Sequence, residues 1–317
     1  MVFIRKILFF AALCAPLVPF GLSAQTPNVV VSLKPIHSLV AGVMGEAGEP
    51  RLLLKGTASP HTYQMRPSDA QALTEADLIV WVGEAMETFL HRAIDNLGSR
   101  ARVVTLHEVP GMRLLRNREG GIWEDDHHEE EAHVDEHEDH GHDHGEFNMH
   151  LWLDPVNAGR IVDEVAEALI FLDPARTAIW RANATAMHSR IAALDSSLEA
   201  RLAPLREHAF VVFHDAYQYF ERAYGLDGKG AVAVDPARAP SAKRLVELRA
   251  ALAEHNILCV FTEPQFEPDL VRTVVEGSDV RTAVLDPIGA DKAPGPDAWM
   301  EIMRGLGDAM VGCLGGG

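Results

Sequence analysis

The residues that could do chemistry are concentrated in one polar run, residues 124–146, which contains seven histidines and twelve carboxylates but no lysine or arginine. Imidazole and carboxylate are ligands for divalent metals, so this composition predicts metal contact. The run lacks the apolar residues that would offset the entropy of ordering it, and we expect it to be disordered without metal. A purification tag and a merely solvated acidic loop are the alternatives, although a tag would stand at a terminus. The histidines of the run are His127, His128, His133, His137, His140, His142 and His144.

Three further histidines stand in loops rich in proline, aspartate and aromatic residues. His61 lies in SPHTYQMRPSD, His150 in NMHLWLDP and His214 in VFHDAYQYF, while Asp286 lies at the end of the last predicted strand in VLDPIG. Ligands of open parallel sheets bind outside the carboxyl ends of the strands, so we expect these four side chains to share one cleft. Three imidazoles with a carboxylate or a water suit Zn(II).

Each of these histidines taken singly is more often a hydrogen-bonded structural residue than a ligand, and the metal interpretation depends on their joint setting. Glu263, in FTEPQF, is a reserve carboxylate. An acid at the end of a strand can instead orient a ligand histidine without touching the metal.

The elements that must position these residues alternate between short β-branched runs and helical stretches, which indicates parallel βαβ units. From Asp173 to residue 203 the chain reads as one helix of about 45 Å, with apolar positions that include Ile179 and Met187 at helical spacing. We predict an α/β fold of two Rossmann-like (βα)4 domains with parallel sheets, joined by one long rigid α-helix, with the metal site in the interdomain cleft. The predicted strands are 28–33, 51–55, 77–83, 101–106, 209–214, 230–235, 257–263 and 280–287.

The predicted division of the chain is a signal peptide, two domains and the helix between them. Residues 1–24 have a charged start, an apolar centre and small residues before a cleavage point near Ala24, as in secretory signal peptides. The remaining parts are an N-terminal domain over 25–172, the linking helix over 173–203 and a C-terminal domain over 204–317. We therefore expect export to the periplasm.

Export also determines how the cysteines are interpreted. Cys14 would leave with the signal peptide, whereas Cys259 and Cys313 remain and are expected to form a disulfide in an oxidising compartment. By the chain-entropy model, a bridge over roughly 55 residues stabilises by about 4 kcal/mol.

The charge of the chain bears on its partners. The formal net charge is −18, of which the polar run carries −12. Nucleic-acid binding would need a basic face, so this balance argues against it.

Together these motifs resemble the ZnuA-type zinc-binding periplasmic proteins of ABC importers, within the helix-linked metal-receptor family called cluster A-I. The resemblance covers essentially the whole mature chain and rests on residues 59–69, 150–155, 212–220, 261–266 and 285–289 around an acidic, histidine-rich insertion. It implies metal ligation by His61, His150 and His214, with Asp286 as fourth ligand. It also implies an ABC permease as partner, and we expect a monomer. Manganese-type relatives carry glutamate where this chain has His214, which favours zinc.

The predicted function is therefore a periplasmic receptor that delivers Zn(II) to an ABC permease, with a polar run that gathers or senses zinc. The alternatives are a periplasmic zinc buffer, a manganese or iron receptor, and a zinc hydrolase. A hydrolase is disfavoured because HExxH is absent and HEEEAH, at 128–133, misses that spacing by one residue. Neutral imidazoles bind zinc, so we expect affinity to fall as the pH drops through the histidine range near 6.5.

Overall fold

A computed structural model describes residues 26–98, 100–118, 120–123, 145–238 and 240–316. The predicted signal peptide and the seven histidines of the polar run lie outside the described residues. Within them, no helix combines the length and apolar character that crossing a membrane requires.

The first half of the described chain forms a four-stranded parallel sheet in the order β2-β1-β3-β4. Val30 pairs with both Arg51 and Ile79, so β1 lies inside the sheet. All three residues of β1 and all four residues of β3 are buried, as expected for strands covered on both faces. The strands are β1 (Val29–Val31), β2 (Arg51–Leu52), β3 (Leu78–Trp81) and β4 (Arg102–Thr105).

The second half repeats this arrangement, with a parallel sheet in the order β6-β5-β7-β8. In each sheet the first strand lies inside, with the second strand on one side of it and the third strand on the other. This order is the pattern of doubly wound α/β folds. The predicted fold class, two parallel α/β sheets and a long helix, is confirmed; the domain boundaries at residues 172 and 204 stay a prediction. The strands are β5 (Phe210–Val212), β6 (Gly228–Ala231), β7 (Cys259–Thr262) and β8 (Arg281–Val284).

Helices lie between successive strands and cover the sheets. The helices are α1 (Lys34–Met44), α2 (Pro67–Glu75), α3 (His91–Leu97), α4 (Pro155–Leu172), α5 (Thr177–Leu202), α6 (Gln218–Tyr224), α7 (Ala242–Glu254), α8 (Asp269–Val275) and α9 (Ala298–Leu314).

The long helix α5 has 26 residues and packs along its length against α1, α4 and α9. Asp173 precedes a short 3-10 turn, and the α-helix begins only at Thr177. The prediction that Ile179 is a core residue is wrong, because that side chain is exposed while its neighbour Trp180 is fully buried. Gly42 lies where any side chain would collide with Met187, so α1 can approach α5 closely.

Buried helices also join the two sheets, since α1 belongs to the first and packs on α9 of the second. Ser38 on α1 accepts a hydrogen bond from the Trp299 backbone N–H at 2.8 Å. The Trp299 indole donates to the Trp152 carbonyl at 2.9 Å, and the Trp152 indole donates to the Pro287 carbonyl at 2.9 Å. One continuous hydrophobic core therefore includes residues of both sheets.

The predicted disulfide is present between Cys259, at the start of β7, and Cys313, near the end of α9. Their Cα atoms are 6.2 Å apart and 54 positions apart in sequence. The bridge attaches the last helix to an inner strand of the second sheet.

Candidate metal centre

His61 is held in the loop between β2 and α2 by the start of that helix. Pro67 occupies the first turn of α2, where its missing N–H costs nothing. The Asp69 carboxylate accepts hydrogen bonds from the Arg66 backbone N–H and the Tyr63 hydroxyl, both at 2.8 Å. These contacts fix the end of the loop that carries His61.

His150 and His214 are positioned by a helix cap and a strand end. Asp154 caps α4 by accepting a hydrogen bond from the Val156 N–H at 2.7 Å, and this fixes the turn that begins at His150. His214 follows the buried strand β5 by two residues. Both rings are almost fully buried.

These three side chains, which we call the histidine trio, meet in one place. The centroid of the His61 ring is 5.6 Å from those of both His150 and His214, which are 5.1 Å from each other. One ring nitrogen from each lies within 4.8 Å of the others. The trio lies in a pocket of about 500 Å³ that is also lined by Glu84 and Phe147.

Hydrogen bonds select the tautomers of two members of the trio. The Asn148 amide nitrogen donates to the Asp215 carbonyl, so its oxygen must accept, and it receives both the N–H and the Nδ1 of His150 at 3.0 and 2.9 Å. His214 Nδ1 donates to the Glu263 carboxylate at 2.8 Å. In the neutral rings, the proton is therefore on Nδ1 and Nε2 carries a lone pair.

The two Nε2 atoms of His150 and His214 are 3.2 Å apart. Two lone pairs at that distance repel each other unless a cation or a proton lies between them. Nitrogens bound to one tetrahedral Zn(II) at about 2.0–2.1 Å would be roughly 3.3–3.4 Å apart. The pair therefore has the spacing that a tetrahedral zinc ion needs.

Burial keeps two of the imidazoles neutral. Loss of hydration, with a smaller contribution from His214, lowers the pKa of His61 to about 3. The same cause, with His214 and His61 as neighbours, lowers the pKa of His150 well below its usual range. Both rings are therefore neutral at pH 6.5, where an ordinary histidine would be half protonated.

The structure does not bring Asp286 into this cluster. Its carboxylate accepts hydrogen bonds from the Gln265 side chain at 2.9 Å and from the backbone N–H groups of Gly289 and Ala290 at 2.9 and 2.5 Å. It lines a separate pocket of about 460 Å³. A carboxylate used in this way stabilises its own turn and has few lone pairs left for a metal.

Two roles were considered for Glu263, metal ligand and orienting residue, and its contact with His214 matches the second. It is 3% exposed and contacts His214 at Nδ1, the ring nitrogen that points away from the trio. Such a carboxylate fixes the ring and raises the basicity of the ligand nitrogen.

Sequence reasoning missed Asn148, which plays the equivalent part for His150. The available signal was its position two residues before a candidate ligand, because a metal-binding histidine needs an acceptor for its other nitrogen. Residues 124–144 of the polar run lie outside the described residues, and Gly145, near the end of the run, lines the pocket of the trio.

Comparison with known proteins identifies the family of the chain. The family model of ZnuA, the zinc-uptake complex component A, periplasmic, matches residues 29–313. The chain belongs to this family. The ZnuA family is one of periplasmic zinc-uptake components, so the chain is a binding protein and not an enzyme.

Individual relatives match over nearly their whole length. The high-affinity zinc uptake system protein ZnuA of Brucella abortus is 40% identical, and the match covers 96% of each chain. The protein of the same name from Paracoccus denitrificans is 38% identical over 92% of this chain and 93% of its own. The solved periplasmic zinc binding protein TroA from Treponema pallidum has a TM-score of 0.76 at 24% identity, covering 91% of this chain and 99% of that one, which shows a shared fold.

Proposed function

We propose that the chain is a periplasmic receptor that binds one Zn(II) through His61, His150 and His214 and delivers it to the permease of an ABC importer. The observation that carries the proposal is the convergence of two lone-pair nitrogens at 3.2 Å with a third imidazole beside them. The names of its relatives, high-affinity zinc uptake proteins, support zinc as the cargo.

The proposed site offers three imidazoles and leaves the fourth position to a water molecule. Imidazole nitrogens suit zinc, whereas manganese favours carboxylates, and the two carboxylates that the sequence suggested as ligands are used elsewhere. Glu263 holds His214, and Asp286 holds its own turn. A manganese receptor would be expected to present at least one of them to the metal.

Delivery requires a receptor that can present its cargo without unfolding. The core shared by the two sheets and the packing of α5 on three other helices support small movements around the site. We also propose that residues 1–24 direct export, and that the chain divides into domains at residues 172 and 204.

The test in cells is zinc-limited growth with the chromosomal gene replaced by variants. His214→Ala is expected to abolish growth on limiting zinc, because it removes one of three ligands. His188→Ala is the matched control, since this histidine is exposed on α5 and pairs with Asp163. Normal growth and normal zinc accumulation with His214→Ala would contradict the receptor function.

The role of the polar run is a separate proposal, namely that it gathers zinc near the pocket. Replacing residues 124–144 by a short Gly/Ser linker keeps the described residues on either side. Slower loading of the trio would support capture, whereas unchanged loading with faster transport at high zinc would support regulation. Loss of all tight zinc binding would instead support the buffer alternative.

A further inference from the structure

A stretch of chain next to the trio connects the two sheets a second time. Residues 115–118 and 120–123, which we call the strap, follow β4 of the first sheet but lie against elements of the second. The Gln218 side chain of α6 donates to the Arg116 carbonyl at 3.0 Å. The strap therefore runs across α6 before it reaches the second sheet.

The end of the strap pairs with the edge strand β6 through an isolated antiparallel bridge between Ile122 and Gly230. The Trp123 N–H donates to the Lys229 carbonyl at 2.9 Å, and the Ala231 N–H donates to the Gly121 carbonyl at 2.8 Å. A side chain at Gly230 would collide with the Gly121 carbonyl, so glycine permits this close approach.

Arg118 lies at the centre of the strap and binds two acids of the second half. Its Nε donates to Asp215 Oδ2 at 3.0 Å, a second nitrogen pairs with Oδ1, and a third donates to Glu221 Oε2 at 2.7 Å. The guanidinium also lies 3.4 Å from the centre of the Trp123 ring. Bidentate pairing with a carboxylate fixes position as well as charge, and lysine cannot reproduce it.

Asp215 connects this ion pair to the trio. It directly follows His214 in the chain, and its carbonyl accepts the Asn148 amide N–H at 2.7 Å. The oxygen of the same amide holds Nδ1 of His150. Arg118 is thus joined to His214 through Asp215, and to His150 through Asp215 and Asn148.

We propose that Arg118 is a positioning residue for the zinc site, which sets the spacing of the His150 and His214 nitrogens by holding Asp215. The inference rests on the proposed function, because it assumes that the trio binds zinc. A strap that served stability alone would leave the geometry of bound metal unchanged when Arg118 is replaced.

The test compares zinc dissociation from the full mature chain with that from Arg118→Gln, using a chelator in excess. Outer partners of metal ligands typically contribute ten-fold or more to affinity, and we expect about ten-fold faster dissociation from the trio. The visible spectrum of bound Co(II) should change in Arg118→Gln, because it reports ligand geometry, and Arg118→Lys should restore it only in part. Arg201→Gln is the matched control, since Arg201 pairs with Asp308 between α5 and α9.

The binding that disappears in His214→Ala defines the contribution of the trio. A parent without such binding would refute the proposed function itself. A parent with it, but an Arg118→Gln variant with the same dissociation rate and Co(II) spectrum, would refute the positioning role alone. If Arg118→Gln does not fold, Asp215→Asn replaces it, because that change weakens the same ion pair and keeps the carbonyl that holds Asn148.

Discussion

Lowering the pH from 7.5 to 5.5 is expected to weaken zinc binding at the trio about a hundred-fold less than it would weaken binding to three ordinary histidines. Three ordinary histidines with a pKa near 6.5 would each cost about ten-fold over this range, or about a thousand-fold together. A histidine whose pKa is lowered stays neutral until the pH falls through the lowered value. This holds for His61, with a pKa of about 3, and for His150.

His61 and His150 therefore do not compete for protons in this range, and without their competition the binding free energy lost on acidification is smaller by about 2.7 kcal/mol. The assay is competition with a chelator of known pH dependence, on protein in which residues 124–144 are replaced by a linker. Calorimetry in buffers of different protonation enthalpy counts the protons released, and at most one per zinc is expected. Circular dichroism at pH 5.5 controls for unfolding. A thousand-fold loss, or the release of two or three protons, would refute the reasoning.

Three substitutions test the neighbours of the site and the fold. Glu263→Gln should lower zinc affinity by about ten- to a hundred-fold in chelator competition, because the charge that orients His214 is lost, and unchanged affinity would refute that role. Asp286→Asn should leave zinc affinity unchanged, since the residue stabilises its own turn, and a loss of more than about ten-fold would identify it as a ligand. Replacing Cys259 and Cys313 by serine should lower the free energy of unfolding by about 4 kcal/mol in chemical denaturation; a loss below about 1 kcal/mol would contradict the chain-entropy argument.

Most of the fold could be predicted because local patterns determine it. The runs VVV, LIVW and CVFT are apolar and β-branched, and each became a strand of a parallel sheet. The long helix was visible in its uninterrupted apolar spacing. The sequence prediction chose Ile179 as an apolar position where the structure buries Trp180, because burial depends on which face of α5 packs against α1, α4 and α9.

The site was predictable only in part, for a physical reason. Each histidine of the trio stands in a loop whose local sequence marks it as unusual. The Asp286 prediction used the same argument, but the loop after β8 turns its carboxylate toward backbone N–H groups, which a strand-end position does not reveal. Asn148 and Arg118 both contact Asp215, which lies 67 positions after Asn148 and 97 positions after Arg118. No local sequence pattern predicts pairs so far apart.

The central claim is that one zinc ion is shared by the trio. The most direct measurement is zinc titration calorimetry on protein with the linker in place of residues 124–144, beside His61→Ala, His150→Ala and His214→Ala, with His188→Ala as control. We predict one tight site in the parent and in the control, weakened in all three trio variants. Tight binding that survives the loss of any one of the three, or a parent without a tight site, would contradict the account.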